Sequence, residues 1–305
     1  MTPDNLRILG EFGLRASDFL GEGGESLVYA LGNDHILRLP KRQPFDRGSR
    51  ARLKRFLDLI HGRLPFVTAT IEEIGPEEAY TIETRVPGKP MAEFLRTASD
   101  DLRDQALRNY VAAIDDFRAI EFDALPYGHI LAAHPITAGD WRTFARESLA
   151  RFRSVNRVAI ARDVGDPYRL FDKAADMIER LPLHPPKYLV HGDYFPGNVL
   201  LAPDLSIAGV IDFGPFTVVG DPVLDLAVSY LTLELIEECS AEDARFVRDL
   251  VIERHGAEIT PALRFYRAYL AFSMADPVNN AAPYPRLYEW AIAMLKLLAE
   301  DRLPV

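Results

Sequence analysis

The stretch HGDYFPGNVLL, residues 191–201, decides the reading of this chain. A carboxylate, Asp193, stands two residues after His191, and an amide, Asn198, stands five residues after that carboxylate. The apolar run YLV leads in and VLL leads out, so a loop with Gly192, Pro196 and Gly197 separates two strand-like segments. Taken alone, an Asp in such a loop is a turn former. The next residues in the chain point elsewhere. VLLAPDLSIAGVID has the pattern of a hairpin, which brings residues near Asn198 and residues near Asp212 to one end of two paired strands. The return strand is apolar until Asp212, and Phe213 and Gly214 come next. A carboxylate ending a buried strand is costly unless it is paired or binds metal. An Asp and an Asn oxygen, with phosphate oxygens and water, suit Mg²⁺, which takes few protein ligands and completes its octahedron from the substrate. Asp193 is then free to accept a proton from an attacking hydroxyl.

Composition narrows the remaining choices. The chain has 305 residues, 48% hydrophobic and 26% charged, enough for one large domain or two lobes. Mean hydropathy is −0.05, and no apolar stretch approaches the ~18 residues of a membrane helix. The start, MTPDNLRILG, carries Asp4 and no long apolar core, so it does not read as a secretion signal. A cytoplasmic protein with no membrane association is expected. The single cysteine, Cys239, excludes an intrachain disulfide and a thiolate zinc cluster, and its acidic neighbours discourage a reactive thiolate. Net charge is −10, unevenly spread: residues 1–87 hold 12 basic and 13 acidic side chains, leaving −9 for the rest. That balance argues against a nucleic-acid partner, which rewards Lys and Arg on phosphates. Most of the basic run from Arg38 to Arg63, nine cations against Asp46 and Asp58, reads as a solvated helix face.

The periodicity divides the chain into two parts. Up to residue 86 the runs SLVYAL, HILRLP and AYTIETRV are β-rich and separated by Gly, Asn and Pro turns. One helix interrupts them, SRARLKRFLDLI, with Leu53, Phe56, Leu57 and Ile60 on one face. After VPGKP helices dominate. One is capped by Ser99 and carries Leu102, Ala106, Leu107, Tyr110, Ile114 and Phe117; another is capped by Asp166 with Pro167 in its first turn; a third repeats that arrangement with Thr260 and Pro261. The β island around residues 187–213 lies between these helices.

HGDYFPGN, the IDF of residues 211–213 and the GDPVLDL of residues 220–226 occur in order at short spacings. Together they resemble the aminoglycoside phosphotransferase and choline kinase family, a branch of the eukaryotic-like kinase fold. The resemblance covers nearly the whole chain and is strongest over residues 190–226. It implies an α+β, two-lobed protein-kinase-like fold. The small β-rich lobe would span 1–86 and hold nucleotide; the large, mostly helical lobe would span 87–305 and hold the β-hairpin catalytic island and the acceptor. It implies Asp193 as catalytic base, Asn198 and Asp212 as Mg²⁺ ligands, and Asp225, with Asp221 and His191, as braces of the catalytic loop. FLGEGGESLVYAL resembles the family's glycine-rich phosphate loop, through Gly21, Gly23, Gly24 and Ser26. Arg38 stands where the family's phosphate-binding Lys is usual, with Lys41 or Arg42 as the alternative contact. The hinge to adenine falls near Thr84 and Val86. LRLPKR and VPGKP look most like the macrolide phosphotransferases.

The implied activity is transfer of the ATP γ-phosphate to a hydroxyl of a small molecule, an aminoglycoside or macrolide antibiotic, or instead a metabolite of the choline, homoserine or thiosugar type. A metallohydrolase built on His191 and Asp193 would want more histidines, and His129, His134 and His184 lack ligand-like spacing to them. A nucleotide-binding module without catalysis would tend to lose Asp193 or Asp212, and both are present. The chain departs from the family in one respect. SRARLKRFLDLI has no Glu to orient Arg38, so either another carboxylate substitutes, Arg38 works unpaired, or the nucleotide is held differently. Guanidinium, with its fixed fork of donors, depends less on such a partner than ammonium does. From the loop alone, Asp193→Asn should keep ATP affinity within a few-fold while turnover falls by ~10²–10⁴. Calorimetry and steady-state rates check this, and lost binding with unchanged turnover per bound ATP would contradict it.

Overall fold

A computed structural model describes residues 2–24, 26–41, 46–276 and 285–305. The alternation in HILRLP sets its first layer, because Leu37 and Leu39 point to one face and are fully buried while Arg38 points to the other. In chain order this part holds α1 (Pro3–Glu11), β1 (Phe19–Glu22), β2 (Ser26–Leu31), β3 (His35–Pro40), α2 (Ser49–Ile60), β4 (Ile71–Ile74) and β5 (Thr81–Thr84). The five strands form one antiparallel sheet in the order β1-β2-β3-β5-β4. Leu37 and Leu39 pack with Leu27 and Tyr29 of β2 and with Ile8 and Leu9 of α1, a small core of their own.

Helix α2 forms where its periodicity places it, yet it is buried against the other part of the chain. Phe56, Leu57 and Ile60 join the large core, and the Phe56 ring meets that of Phe213 at 5.5 Å. Glu78 satisfies its first turn, accepting from the Gly48 N–H at 2.8 Å and the Ser49 hydroxyl at 3.2 Å. Strand β4 gave no clear signal in the sequence because it is a sheet edge whose Glu72 and Glu73 face solvent.

Beyond the sheet lie β6 (Lys89–Pro90), α3 (Met91–Leu95), α4 (Asp100–Ile114), β7 (Tyr127–His129), β8 (Thr137–Ala138), α5 (Trp141–Asp163) and α6 (Pro167–Ile178). Then come β9 (Tyr188–Val190), β10 (Val199–Leu201), β11 (Ile207–Val210), β12 (Val218–Gly220), α7 (Val223–Leu231), α8 (Ala241–His255), α9 (Thr260–Met274) and α10 (Pro285–Ala299). Ser99 takes the cap position of α4 without bonding an amide, and Leu102 stays exposed while Ala106, Leu107, Tyr110 and Ile114 are buried. Asp166 caps α6 through the N–H groups of Tyr168 and Arg169. The third expected cap is displaced. A 3₁₀ turn, Ala257–Ile259, runs straight into α9, so Thr260 and Pro261 are its first two residues. The longest helix, α5, carries six arginines that dilute its apolar stripe, and Asp140 caps it through the Thr143 N–H at 2.9 Å. No helix among the described residues is long and apolar enough to cross a membrane.

The island comprises β11-β10-β6 and β8-β7-β12-β9. Its hairpin register, Val199 opposite Val210, brings Ile211 to Asn198, whose carbonyl accepts the Ile211 N–H at 2.9 Å. The island meets the segment before the hinge through a parallel bridge, Val67 to Gly209. A Cβ on Gly209 would sit 2.1 Å from Cγ1 of Val86, so Val86 lies directly on the island.

One buried column anchors this half. The Tyr266 hydroxyl of α9 donates to Asp221 Oδ2 at 2.7 Å and accepts the Trp141 Nε1–H of α5 at 2.8 Å. Burial raises the Asp221 carboxyl, and the phenol bond opposes that rise. Tyr266→Phe leaves two buried polar atoms, Asp221 Oδ2 and Trp141 Nε1, without their partner, each worth about 1–3 kcal/mol. Thermal unfolding followed by circular dichroism should show a clear loss of Tm, and an unchanged Tm would remove the column's structural role.

Candidate active site

The loop after β9 is held from behind. Asp225, in the first turn of α7, accepts the His191 N–H at 2.7 Å on one oxygen and the Gly192 N–H at 2.8 Å on the other. Burial drives its carboxyl up to about 7, while the two N–H bonds pull the other way. The His191 ring is fully buried, with Nε2 donating to the Ile211 carbonyl at 3.0 Å and Nδ1 accepting the Asp193 N–H at 3.2 Å. Both nitrogens are therefore used, and burial lowers the ring's pKa to about 4, so it stays neutral. His191 thus spaces the backbone of Asp193 from the residue before Asp212. Thr217, absent from the sequence reading, completes the brace. Its hydroxyl donates to the His191 carbonyl at 3.2 Å and accepts the Gly214 N–H at 3.1 Å. Gly192 has φ +78°, and a Cβ there would lie 2.0 Å from the Phe216 carbonyl oxygen. Asp221 differs from expectation. Among the described residues it makes no direct bond to the loop and instead takes Tyr266 and the Val223 N–H at 3.1 Å.

Asn198 donates from Nδ2 to the Asp193 carbonyl at 3.0 Å and to Asp193 Oδ2 at 3.3 Å. Its donors are committed to Asp193, which leaves Oδ1 free to accept or to meet a cation. Burial, then the charge of Asp212, raises the Asp193 carboxyl to about 6, and the Asn198 bond opposes the rise. Asp212 is not sealed at a strand end, as the apolar run before it suggested. Its side chain is 56% exposed, and its φ of +67° turns the residue out of the strand. Such a backbone costs a non-glycine residue roughly 1–2 kcal/mol, least for Asp and Asn. Among the described residues no cluster of three or more His, Cys, Asp or Glu could hold a metal. The pair Asn198 Oδ1 and Asp212 fits the one cation that needs so few protein donors, Mg²⁺, and Arg38 already supplies a positive charge to Asp212 at 3.5 Å.

Arg38 occupies a central strand, with its side chain 17% exposed, so it is no surface residue of an edge. The guanidinium is not unpaired. Glu83 of β5 takes Arg38 Nε at 3.0 Å and the Thr81 hydroxyl at 2.7 Å. Burial works against the guanidinium's charge, but Glu83 and then Asp212 more than restore it, and its pKa is raised. Helix α2 offers nothing comparable, since Asp46 takes Arg52 and Asp58 takes Lys54. The sequence shows Glu83 in a strand but not which strand lies beside β3.

The remaining expected contacts are dispersed. Gly21, Gly23 and Gly24 lie on the β1–β2 hairpin, where a Cβ on Gly21 or Gly23 would meet nothing. Ser26 opens β2 and is buried opposite Pro40. Lys41 pairs with Glu22 at 3.1 Å, and Arg42 lies outside the described residues. Thr84 spends its N–H on the Thr70 carbonyl at 2.9 Å. Cys239 is half-buried, its thiol pushed up to about 12 by burial and then by Asp243.

A family model described as the phosphotransferase enzyme family, APH, matches residues 18–269. The chain belongs to this family. It is a phosphotransferase. Solved structures similar to it include a thermostable mutant of aminoglycoside phosphotransferase APH(4)-Ia in ternary complex with ADP and hygromycin B. That match has 19% identity, TM-score 0.69 and 100% of both chains covered. The gentamicin complex of APH(2")-IIa is similar at 15% identity and TM-score 0.64, with 98% of each chain covered. ADP-bound APH(2'')-Ib is similar at 16% identity and TM-score 0.62, with 99% of each chain covered. No curated protein sequence matches.

A base whose carboxyl sits near 6 is lost as pH falls through that value. With Asp193 as the base that the resemblance implies, kcat/KM should show an acid limb between about 6 and about 7, Asp193 titrating at the lower value and its brace Asp225 at the upper. His191, neutral above about 4, adds no second limb there. A pH–rate profile with its limb above 7 would contradict the assignment of Asp193.

Proposed function

We propose that this protein transfers the γ-phosphate of ATP to a hydroxyl of a small cationic acceptor of the aminoglycoside type. One arrangement carries the reading: Asp193 and Asn198 are bonded to each other, Asp212 stands near enough to raise the Asp193 carboxyl, and Arg38 meets Asp212 from the sheet. Asp193 takes the proton of the acceptor hydroxyl. The acceptor oxygen bonds to the γ-phosphorus as the bond to the β-γ bridging oxygen breaks, and ADP leaves with that electron pair. Asn198 Oδ1 and Asp212 would hold Mg²⁺, which when bound neutralises charge on the phosphate oxygens. Arg38 grips the phosphates through its terminal nitrogens, and the β1–β2 hairpin with Gly21, Gly23 and Gly24 covers them. Positioning and charge account for the rest, because phosphoryl transfer needs little covalent help from the protein.

The acceptor class rests on charge. Residues 88–305 carry −9, and the similar structures hold hygromycin B, gentamicin and kanamycin. A negative lobe draws a polycation to it. ATP consumption should be measured against aminoglycosides, macrolides, choline, homoserine and thiosugars. An aminoglycoside should give the highest kcat/KM, and the value should fall as salt rises, because screening sets in beyond ~10 Å at 0.1 M ionic strength. A neutral best acceptor, or a flat salt response, would overturn the cationic assignment.

A further inference from the structure

Arg38 stands between two carboxylates of different kinds. Glu83 is buried, fixed within β5, and itself steadied by the Thr81 hydroxyl at 2.7 Å. Asp212 is half in solvent and meets only the far end of the guanidinium, Nη1 to Oδ1 at 3.5 Å. Register explains the inner pair. Arg38 lies opposite Thr81 and Ile36 lies opposite Glu83, so Arg38 and Glu83 are diagonal neighbours on one face of the sheet. Glu83 bonds Nε, the nitrogen nearest the chain, at 3.0 Å. The guanidinium is planar, so fixing Nε fixes the directions of Nη1 and Nη2 as well.

We propose that Glu83 is the positioning residue of the nucleotide site, holding Arg38 by Nε so that both terminal nitrogens face the phosphates, and that it supplies from strand β5 the carboxylate α2 lacks. This rests on the reading of Arg38 as the phosphate contact. The alternative role for Glu83 is neutralisation of a buried cation, which would affect folding but not the preference for phosphate. The pairing also explains why Arg stands at position 38. An ammonium is a single point of charge, and it cannot occupy the Nε position beside Glu83 and the terminal position beside Asp212 together.

The test is equilibrium binding of ATP and of adenosine without Mg²⁺, so that no metal contributes. Arg38→Met should weaken ATP by ~10-fold or more, the worth of a charge-assisted hydrogen bond, and adenosine by less than ~2-fold. Glu83→Gln keeps shape and removes charge; it should weaken ATP by ~5–20-fold and leave adenosine nearly unchanged. In the Arg38→Met background, Glu83→Gln should cost less than ~2-fold further, because its effect passes through Arg38. Should Glu83→Gln fold poorly, Thr81→Val removes only the hydroxyl that steadies Glu83 and should weaken ATP alone by ~2–5-fold. Equal effects of Glu83→Gln on ATP and adenosine, or an undiminished effect in the Arg38→Met background, overturn the proposal. Equal effects of Arg38→Met on both ligands would instead show that the phosphates are held elsewhere, and the proposal falls with that reading.

Discussion

The cleft depends on one carboxylate, that of Asp225, and its two bonds to the N–H groups of His191 and Gly192. Buried backbone donors need acceptors, and a buried carboxylate needs donors, so each settles the other's cost. Two successive N–H groups converge on the two oxygens of Asp225, and the positive φ of Gly192 turns the chain that follows them. Asp225 also stands in the first turn of α7, where the helix dipole favours a negative charge. That helix is in turn pinned at Asp221 by Tyr266 and Trp141. The place of Asp193 is therefore set by α5, α7 and α9, although none of these helices carries a residue of the catalytic cluster.

The same compactness forces like charges together. Asp193 is raised first by burial and then by Asp212, and Asp225 adds to the crowding. Such a site is short of positive charge, and Arg38 meets part of the need from the opposite side of the cleft. Asp212, left-handed and open to solvent, is the exposed member of the set, while Asp193 and Asn198 are tied to each other and to a neutral His191. Chemistry that ends with a proton on Asp193 profits from this, because a carboxyl near 6 accepts a proton more readily than one at its usual value.

What the sequence could disclose was local. Residues 191–214 are close in the chain, so hairpin spacing alone brought Asp193, Asn198 and Asp212 to one end. The exposure of Asp212 was not legible, because it depends on a backbone angle at a single residue. Strand β3 was legible from alternation, and with it the direction of Arg38. Its partner was not. Glu83 is 45 residues away, and joining the two requires knowing that β5, not β4, lies beside β3. Asp221 was placed by proximity to Asp225, but along a helix start four residues apart it serves a different neighbour, Tyr266. Helix α5 was hidden by its arginines, and β4 by its edge position.

Moving the carboxylate from a helix to a strand changes what must be ordered before phosphate can be gripped. A helix that packs across a cleft can shift relative to the sheet, and its carboxylate shifts with it. The partner in β5 cannot, because ladder register with β3 holds the two side chains on one face at a set diagonal. Meanwhile α2 is committed to the large core through Phe56 and Phe213, and Lys54 bonds the Ile71 carbonyl at 2.6 Å. Its position therefore affects Phe213, beside Asp212, but not the aim of Arg38. On the proposed reading the two halves of the cleft are organised separately, the phosphate grip by the sheet and the cation ligands by the island. They meet at the Arg38–Asp212 contact, which is long and half in solvent, as suits a bond that must yield its place to a nucleotide.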